Sequence, residues 1–116
     1  MPYEIAAKNL MLDALRPAIS HVSLHSGVPT RANEVSGADY MRQRTEFGPA
    51  VGGALRLSEG KRFEVSAKSR VNHAGFWTGA KGGVLLCWGS LDEVLFAERG
   101  VYVLDAGVLD LKLEGA

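Results

Sequence analysis

Val71-Asn72-His73-Ala74-Gly75-Phe76-Trp77-Thr78, then Gly79-Ala80-Lys81-Gly82-Gly83, then Val84-Leu85-Leu86-Cys87-Trp88-Gly89-Ser90 is the stretch that decides the fold. Two runs rich in apolar and aromatic residues flank five residues, three of them glycine. Glycine reaches the positive-φ conformations of tight turns, so the pattern predicts strands over 71–78 and 84–90 joined as a hairpin. The second run is almost continuously apolar, which predicts a central strand buried on both faces. Residues 91–99 leave a helical turn and a strand both open.

Toward the N-terminus, Phe63 and Val65 alternate with charged neighbours and predict a strand over 62–67. Shorter strands are expected over 54–57 and 40–47. The glycine- and proline-punctuated polar segment 27–37 is expected to be a long loop. Residues 18–25 alternate. Ile19, His21, Ser23 and His25 point one way, and Ser20, Val22, Leu24 and Ser26 the other. Only residues 3–15 show a helical period, with Leu10, Met11, Ala14 and Leu15 on one stripe, which predicts a helix over 6–15 behind a loose arm. Pro17 should end it, because proline disfavours helix at the preceding residue. Toward the C-terminus, strands are expected over 100–104 and 108–113, the latter with Leu109, Leu111 and Leu113 opposite Asp110, Lys112 and Glu114.

Seven or eight short strands separated by turn signals predict an all-β fold. The expected architecture is an antiparallel β-sandwich, jelly-roll-like, with a short N-terminal helix or arm at 1–15. With 116 residues and no internal repeat or composition shift, the expectation is one domain over 1–116. Thirteen Lys and Arg balance thirteen Asp and Glu, which argues against nucleic acid and against an anionic membrane as partners. The N-terminus lacks a basic region followed by an apolar run, so no signal peptide is expected, and no apolar stretch nears the ~20 residues that span a bilayer. Synthesis in a reducing cytosol follows as an expectation. The single cysteine, Cys87, excludes an internal disulfide and reads as a buried small hydrophobe.

No motif points to catalysis or a cofactor. His21 and His25 share a strand face and could join His73 in a zinc site, but no cysteine or carboxylate spacing supports it. Ser20, Ser23 and Ser26 lie near these histidines without a G-x-S-x-G elbow. The Gly79–Gly83 segment lacks phosphate-loop spacing. The scattered carboxylates form no acid–base pair. Arg56, Lys61, Arg62 and Lys68 read as solvated strand faces, with a weak anion or glycan contact as the alternative. Trp77 and Trp88 read as core, or as interface anchors, since aromatics dominate binding hot spots.

The order of segments resembles a family of small tailed-bacteriophage virion proteins. The resemblance rests on Ile19 through Ser26, on Pro29, and on Asn33-Glu34-Val35-Ser36-Gly37-Ala38-Asp39-Tyr40-Met41-Arg42-Gln43. The hairpin residues and Asp105-Ala106-Gly107-Val108-Leu109-Asp110-Leu111 extend it over about residues 9–113. Between residues 46 and 68 the chain departs from the pattern, where Arg56, Lys61 and Arg62 replace a more neutral stretch.

The resemblance implies a non-enzymatic structural protein without cofactor or metal. The expected role is a capsid decoration or cement protein, a homodimer or homotrimer on the outside of the major capsid protein shell. A tail-associated or host-glycan-binding module is the alternative. Termini and loops are free to reach a neighbour, so contacts are expected from Pro2, Tyr3, Ile5, Leu10 and Met11 of the N-terminal segment. The loop should add Pro29, Arg31, Asn33, Glu34, Tyr40 and Arg42. Within the loop, Ser36-Gly37 should let the chain turn back, with Arg42 pairing to Glu34 or Asp39.

Overall fold

A computed structural model describes residues 3–106 and 110–112. Helix α1 spans Ile5–Leu15, one turn of 3₁₀ helix follows at Arg16–Ala18, and Pro17 sits where the α-helix gives way. Eight strands follow in the described residues. They are β1 His21–His25, β2 Gln43–Arg44, β3 Ala54–Arg56, β4 Lys61–Val65, β5 Ser69–Trp77, β6 Leu85–Phe96, β7 Gly100–Leu104 and β8 Asp110–Lys112.

All strand pairings are antiparallel. A four-stranded sheet runs β2-β1-β5-β6, and two ribbons, β3-β8 and β4-β7, complete the set. The inner face of the large sheet contributes Val22 and Leu24 from β1 and Val71, Ala74 and Phe76 from β5. Leu55 from β3, Phe63 and Val65 from β4, and Leu104 from β7 meet them in one core. The mostly β, antiparallel character expected from the alternating runs is what forms, with one short helix at the N-terminus.

Helix α1 buries only Leu12 fully. Two polar side chains tie it down instead: Asn9 Oδ1 accepts from the Gly53 amide at 2.9 Å, and Asp13 Oδ1 from the Ala50 amide at 2.8 Å. Leu10, on the expected apolar stripe, is 74% exposed.

The hairpin joins β5 to β6 as expected. Gly82 and Gly83 adopt φ of 60° and 72° in its turn. A side chain at Gly83 would also meet Thr78 Oγ1 at 2.8 Å. The expected central position of the second hairpin strand is corrected: β6 is the edge of its sheet, and Trp88 is 48% exposed. β6 meets the core through Cys87, Leu91 and Phe96, and through Leu86 at the register shift opposite Phe76 and Trp77. A continuous apolar run does not report how many neighbours a strand has. Residues 91–96, left open in the sequence, continue β6. The alternation expected across Leu109, Leu111 and Leu113 lies outside the described residues.

Candidate functional site

Every side chain of β1 after His21 is buried, although only half of them can face the core. The reason is a second, smaller packing layer on the outer face of the sheet. There the register sets His21 opposite Trp77, Ser23 opposite Gly75, and His25 opposite His73. The loop after β1 folds back over this face. Its Val35 amide bonds the Leu24 carbonyl at 2.9 Å, and Glu34 forms a bridge with His25.

Beneath the loop runs a polar relay. The Trp77 indole Nε1 donates to Ser23 Oγ at 2.7 Å. Ser23 Oγ lies 2.5 Å from His25 Nε2, and His25 Nδ1 lies 2.8 Å from Asn33 Oδ1. The Thr30 amide also donates to Asn33 Oδ1, and Asn33 Nδ2 donates to the Val28 carbonyl, so the Asn33 amide is fixed. His25 therefore carries its proton on Nδ1 and accepts the Ser23 hydroxyl proton at Nε2. Burial holds the His25 ring below its ordinary pKa, against the raising effects of Asn33 and Glu34.

Beside this relay, Arg42 clasps the loop to the hairpin. Its guanidinium forms a two-pronged pair with Glu34, Nη2 to Oε1 at 2.8 Å and Nε to Oε2 at 3.0 Å. Nη1 donates to the Gly79 carbonyl at 3.1 Å and the Gly82 carbonyl at 2.9 Å. The cation also lies 3.9 Å from the Trp77 ring centroid. Tyr40 donates to Glu34 Oε2 at 2.9 Å and accepts from the Leu24 amide at 3.0 Å. Burial alone would raise the Glu34 carboxyl, but the bonds from Arg42 and Tyr40 outweigh it and hold the pKa low. The Tyr40 phenol is pushed well above its usual range, by burial first. Of the two partners offered to Arg42 by the sequence, Glu34 takes it, while Asp39 pairs with Arg99 at 3.5 Å.

Ser23, His25 and Asn33 have the connectivity of nucleophile, base and orienting group. Their surroundings make it a structural element. Ser23 and His25 are both 0% exposed. A single Cβ on Gly75 would meet His25 Nε2 and Ser23 Oγ at 3.0 Å, so no substrate atom could approach Ser23 from that side. The Ser23 oxygen already accepts from the Trp77 indole.

The histidines do not converge on a metal. His21 Nδ1 is 2.8 Å from Ser20 Oγ, and His73 Nδ1 is 2.7 Å from Asn72 Oδ1. Among the described residues no three His, Cys, Asp or Glu are grouped to hold an ion. Burial raises the Cys87 thiol to about 11, which leaves it protonated near neutral pH.

The residues singled out as contacts divide into two sets. Tyr3, Ile5, Leu10 and Met11 are exposed along α1 and the residues before it. Arg31 is exposed too, with Nη2 donating to the Gly83 carbonyl and its cation 5.7 Å from the Trp77 centroid. Pro2 lies outside the described residues. Pro29 is buried, and Asn33, Glu34, Tyr40 and Arg42 place their side chains in the network inside the chain. The loop's polar groups are drawn inward because the outer sheet face offers Trp77, His25 and backbone carbonyls to satisfy.

Sequence reasoning missed a row on the same outer face beyond the loop. The Trp88 and His73 rings lie 5.6 Å apart, tilted by 59°. The row continues through Asn72, whose Nδ2 donates to Glu93 Oε1 at 3.3 Å, to Arg70, whose Nε is 3.4 Å from the same oxygen. Strand alternation was the available signal: Cys87 and Trp88 are neighbours, so they cannot both face one core.

A family model described as "Podophage GP4 fiber I protein gp80" matches residues 7–112. No curated protein matches the sequence.

Proposed function

The chain belongs to this family of phage structural proteins, and from that premise we propose that it is a non-enzymatic subunit of a tailed-phage fibre. The observation that carries the reading is the extent of the match, which runs from α1 through β8 to a family described as a fibre protein. The chemistry of the chain supports it. Its one relay of serine, histidine and asparagine is sealed under a loop and holds that loop in place. What the chain offers outward is contact surface. Tyr3, Ile5, Leu10 and Met11 present apolar area along one short helix and its lead-in, suited to a neighbouring subunit.

Capsid decoration on the major capsid protein, as a dimer or trimer, is the other reading of the same exposed helix. Immunogold labelling of intact virions separates the two. Label on fibres supports the proposal, and label distributed over the head overturns it.

A further inference from the structure

We propose that α1 is the seat of an antiparallel dimer of this chain, in which the helix packs on α1 of a second copy about a two-fold axis at Leu10. The helix is amphipathic in the reverse of the usual sense. A surface helix ordinarily buries its apolar stripe and wets its polar one. The two charged residues of α1, Lys8 and Asp13, are instead turned toward the body of the protein. Asp13 and Asn9 accept from the Ala50 and Gly53 amides, and a Cβ on Gly53 would meet the Lys8 stem at 3.2 Å.

The apolar side chains face outward. Ala6, Leu10 and Ala14, spaced four apart and so on one face, are all exposed, Leu10 to 74%. Tyr3 before them and Pro17 after them are exposed as well. A contiguous apolar face of this kind marks a contact with another molecule.

The order of the residues names that molecule. Outward from Leu10 the sequence is matched on both sides: Ala6 and Ala14 stand four residues away, Glu4 and Arg16 six, Tyr3 and Pro17 seven. Two copies laid antiparallel with Leu10 at one level therefore set Ala6 against Ala14 and Tyr3 against Pro17. At each end the Glu4 carboxylate comes to the level of the Arg16 guanidinium of the other copy. Alanine on both sides of Leu10 leaves room for the leucine of the second helix. Glu4 makes no side-chain cap on its own helix, and Arg16 meets Asp13 only at 4.0 Å, so both charges can reach across. The antiparallel setting also opposes the two helix dipoles. A parallel pair would place Glu4 beside Glu4 and Arg16 beside Arg16. The antiparallel contact is self-complementary and closes at two copies. One short helix on each side makes less than a standard interface, so a dissociation constant on the order of 100 μM is expected, and confinement in the virion would fill it.

This inference rests on the fibre reading for the use of the helix as a contact surface, and deepens it by naming what the helix meets. Immunogold label on heads would sink the fibre reading and leave the dimer standing, whereas a chain that stays monomeric would sink the dimer alone. The test is analytical ultracentrifugation of the full chain from about 10 μM to about 1 mM, with oxidative crosslinking of cysteine variants. The parent, whose Cys87 lies on β6, is the control for crosslinking. The parent should pass from monomer to dimer over that range, and Leu10→Lys should weaken the dimer at least about tenfold. A disulfide joins Cα atoms within about 7 Å. Leu10→Cys, on the axis, should therefore crosslink to itself. Ala6→Cys should not, since its two copies would lie about 12 Å apart along the pair, but it should crosslink to Ala14→Cys when the two are mixed. All three positions are exposed, so the variants should melt with the parent. The proposal is overturned if the chain is monomeric at about 1 mM or assembles as a trimer, or if Leu10→Lys dimerises like the parent. It also falls if Ala6→Cys crosslinks to itself as fast as Leu10→Cys, which would mean a parallel pair. A monomeric chain whose Leu10→Lys variant is still lost from virions would replace the second copy with another virion protein.

Discussion

Arg42 is the residue on which the outer layer of the sheet depends. Its side chain is 7% exposed and that of Glu34 17%, so removing the cation strands a carboxylate in a poorly hydrated place. Arg42→Ala should cost about 3–5 kcal/mol, the usual penalty for breaking a buried pair from one side. Arg42→Met with Glu34→Gln should cost markedly less, and a double-mutant cycle by urea unfolding measures the difference. His25 makes a second prediction at the same scale. Burial, the largest influence, lowers its pKa below 6.5, and burial followed by the charges of Arg44 and Arg42 does the same for His21. Below pH 6.5 the unfolded chain therefore binds protons that the folded chain refuses. Stability from the neutral rings is full above that pH and is lost as the pH falls through it. The melting temperature should drop between about pH 7.5 and about pH 5.5, and His25→Gln should flatten part of that drop. The Arg42–Glu34 pair was legible in the sequence because both partners lie in one short segment. The Ser23–His25–Trp77 relay was not, because it depends on which residue of β5 stands opposite which residue of β1, some fifty positions away.

The hairpin shows the same division among the elements. Its turn could be read from Gly79, Gly82 and Gly83, and β5 and β6 pair as that turn requires. That β6 lies at the sheet edge could not be read, because edge and centre are properties of the assembled sheet. The turn is also a binding partner within the chain, since Arg42 holds two of its carbonyls and Arg31 a third. Gly83→Ala should therefore destabilise the protein, through positive φ and the approach of Thr78 Oγ1 together. A loss of about 1–3 kcal/mol in denaturant unfolding is expected, and a neutral result would show that the turn is not held as described. Helix α1 gives the opposite prediction. Leu10 is 74% exposed, so Leu10→Lys should leave the melting temperature within a few degrees of the parent. Incorporation of the protein into virions should fall, which western blotting of purified particles checks.

The molecule as a whole is a sheet with a layer on each face. One layer is the apolar core shared with the two ribbons, and the other is a polar layer in which a loop is pinned over Trp77. Composition and alternation gave away the first, since they report burial and period. The second escaped because a buried histidine, serine or arginine looks in sequence like an exposed one until its partners are known. With Asn33, Glu34, Tyr40 and Arg42 committed inward, the exposed helix and the Trp88 face remain as surface for other molecules, as the proposed fibre role requires. The copy number per virion, from quantitative mass spectrometry of purified particles, tests that claim most directly. A few to a few tens of copies is the predicted result. Hundreds of copies, near the number of major capsid subunits, would contradict it and place the protein on the head.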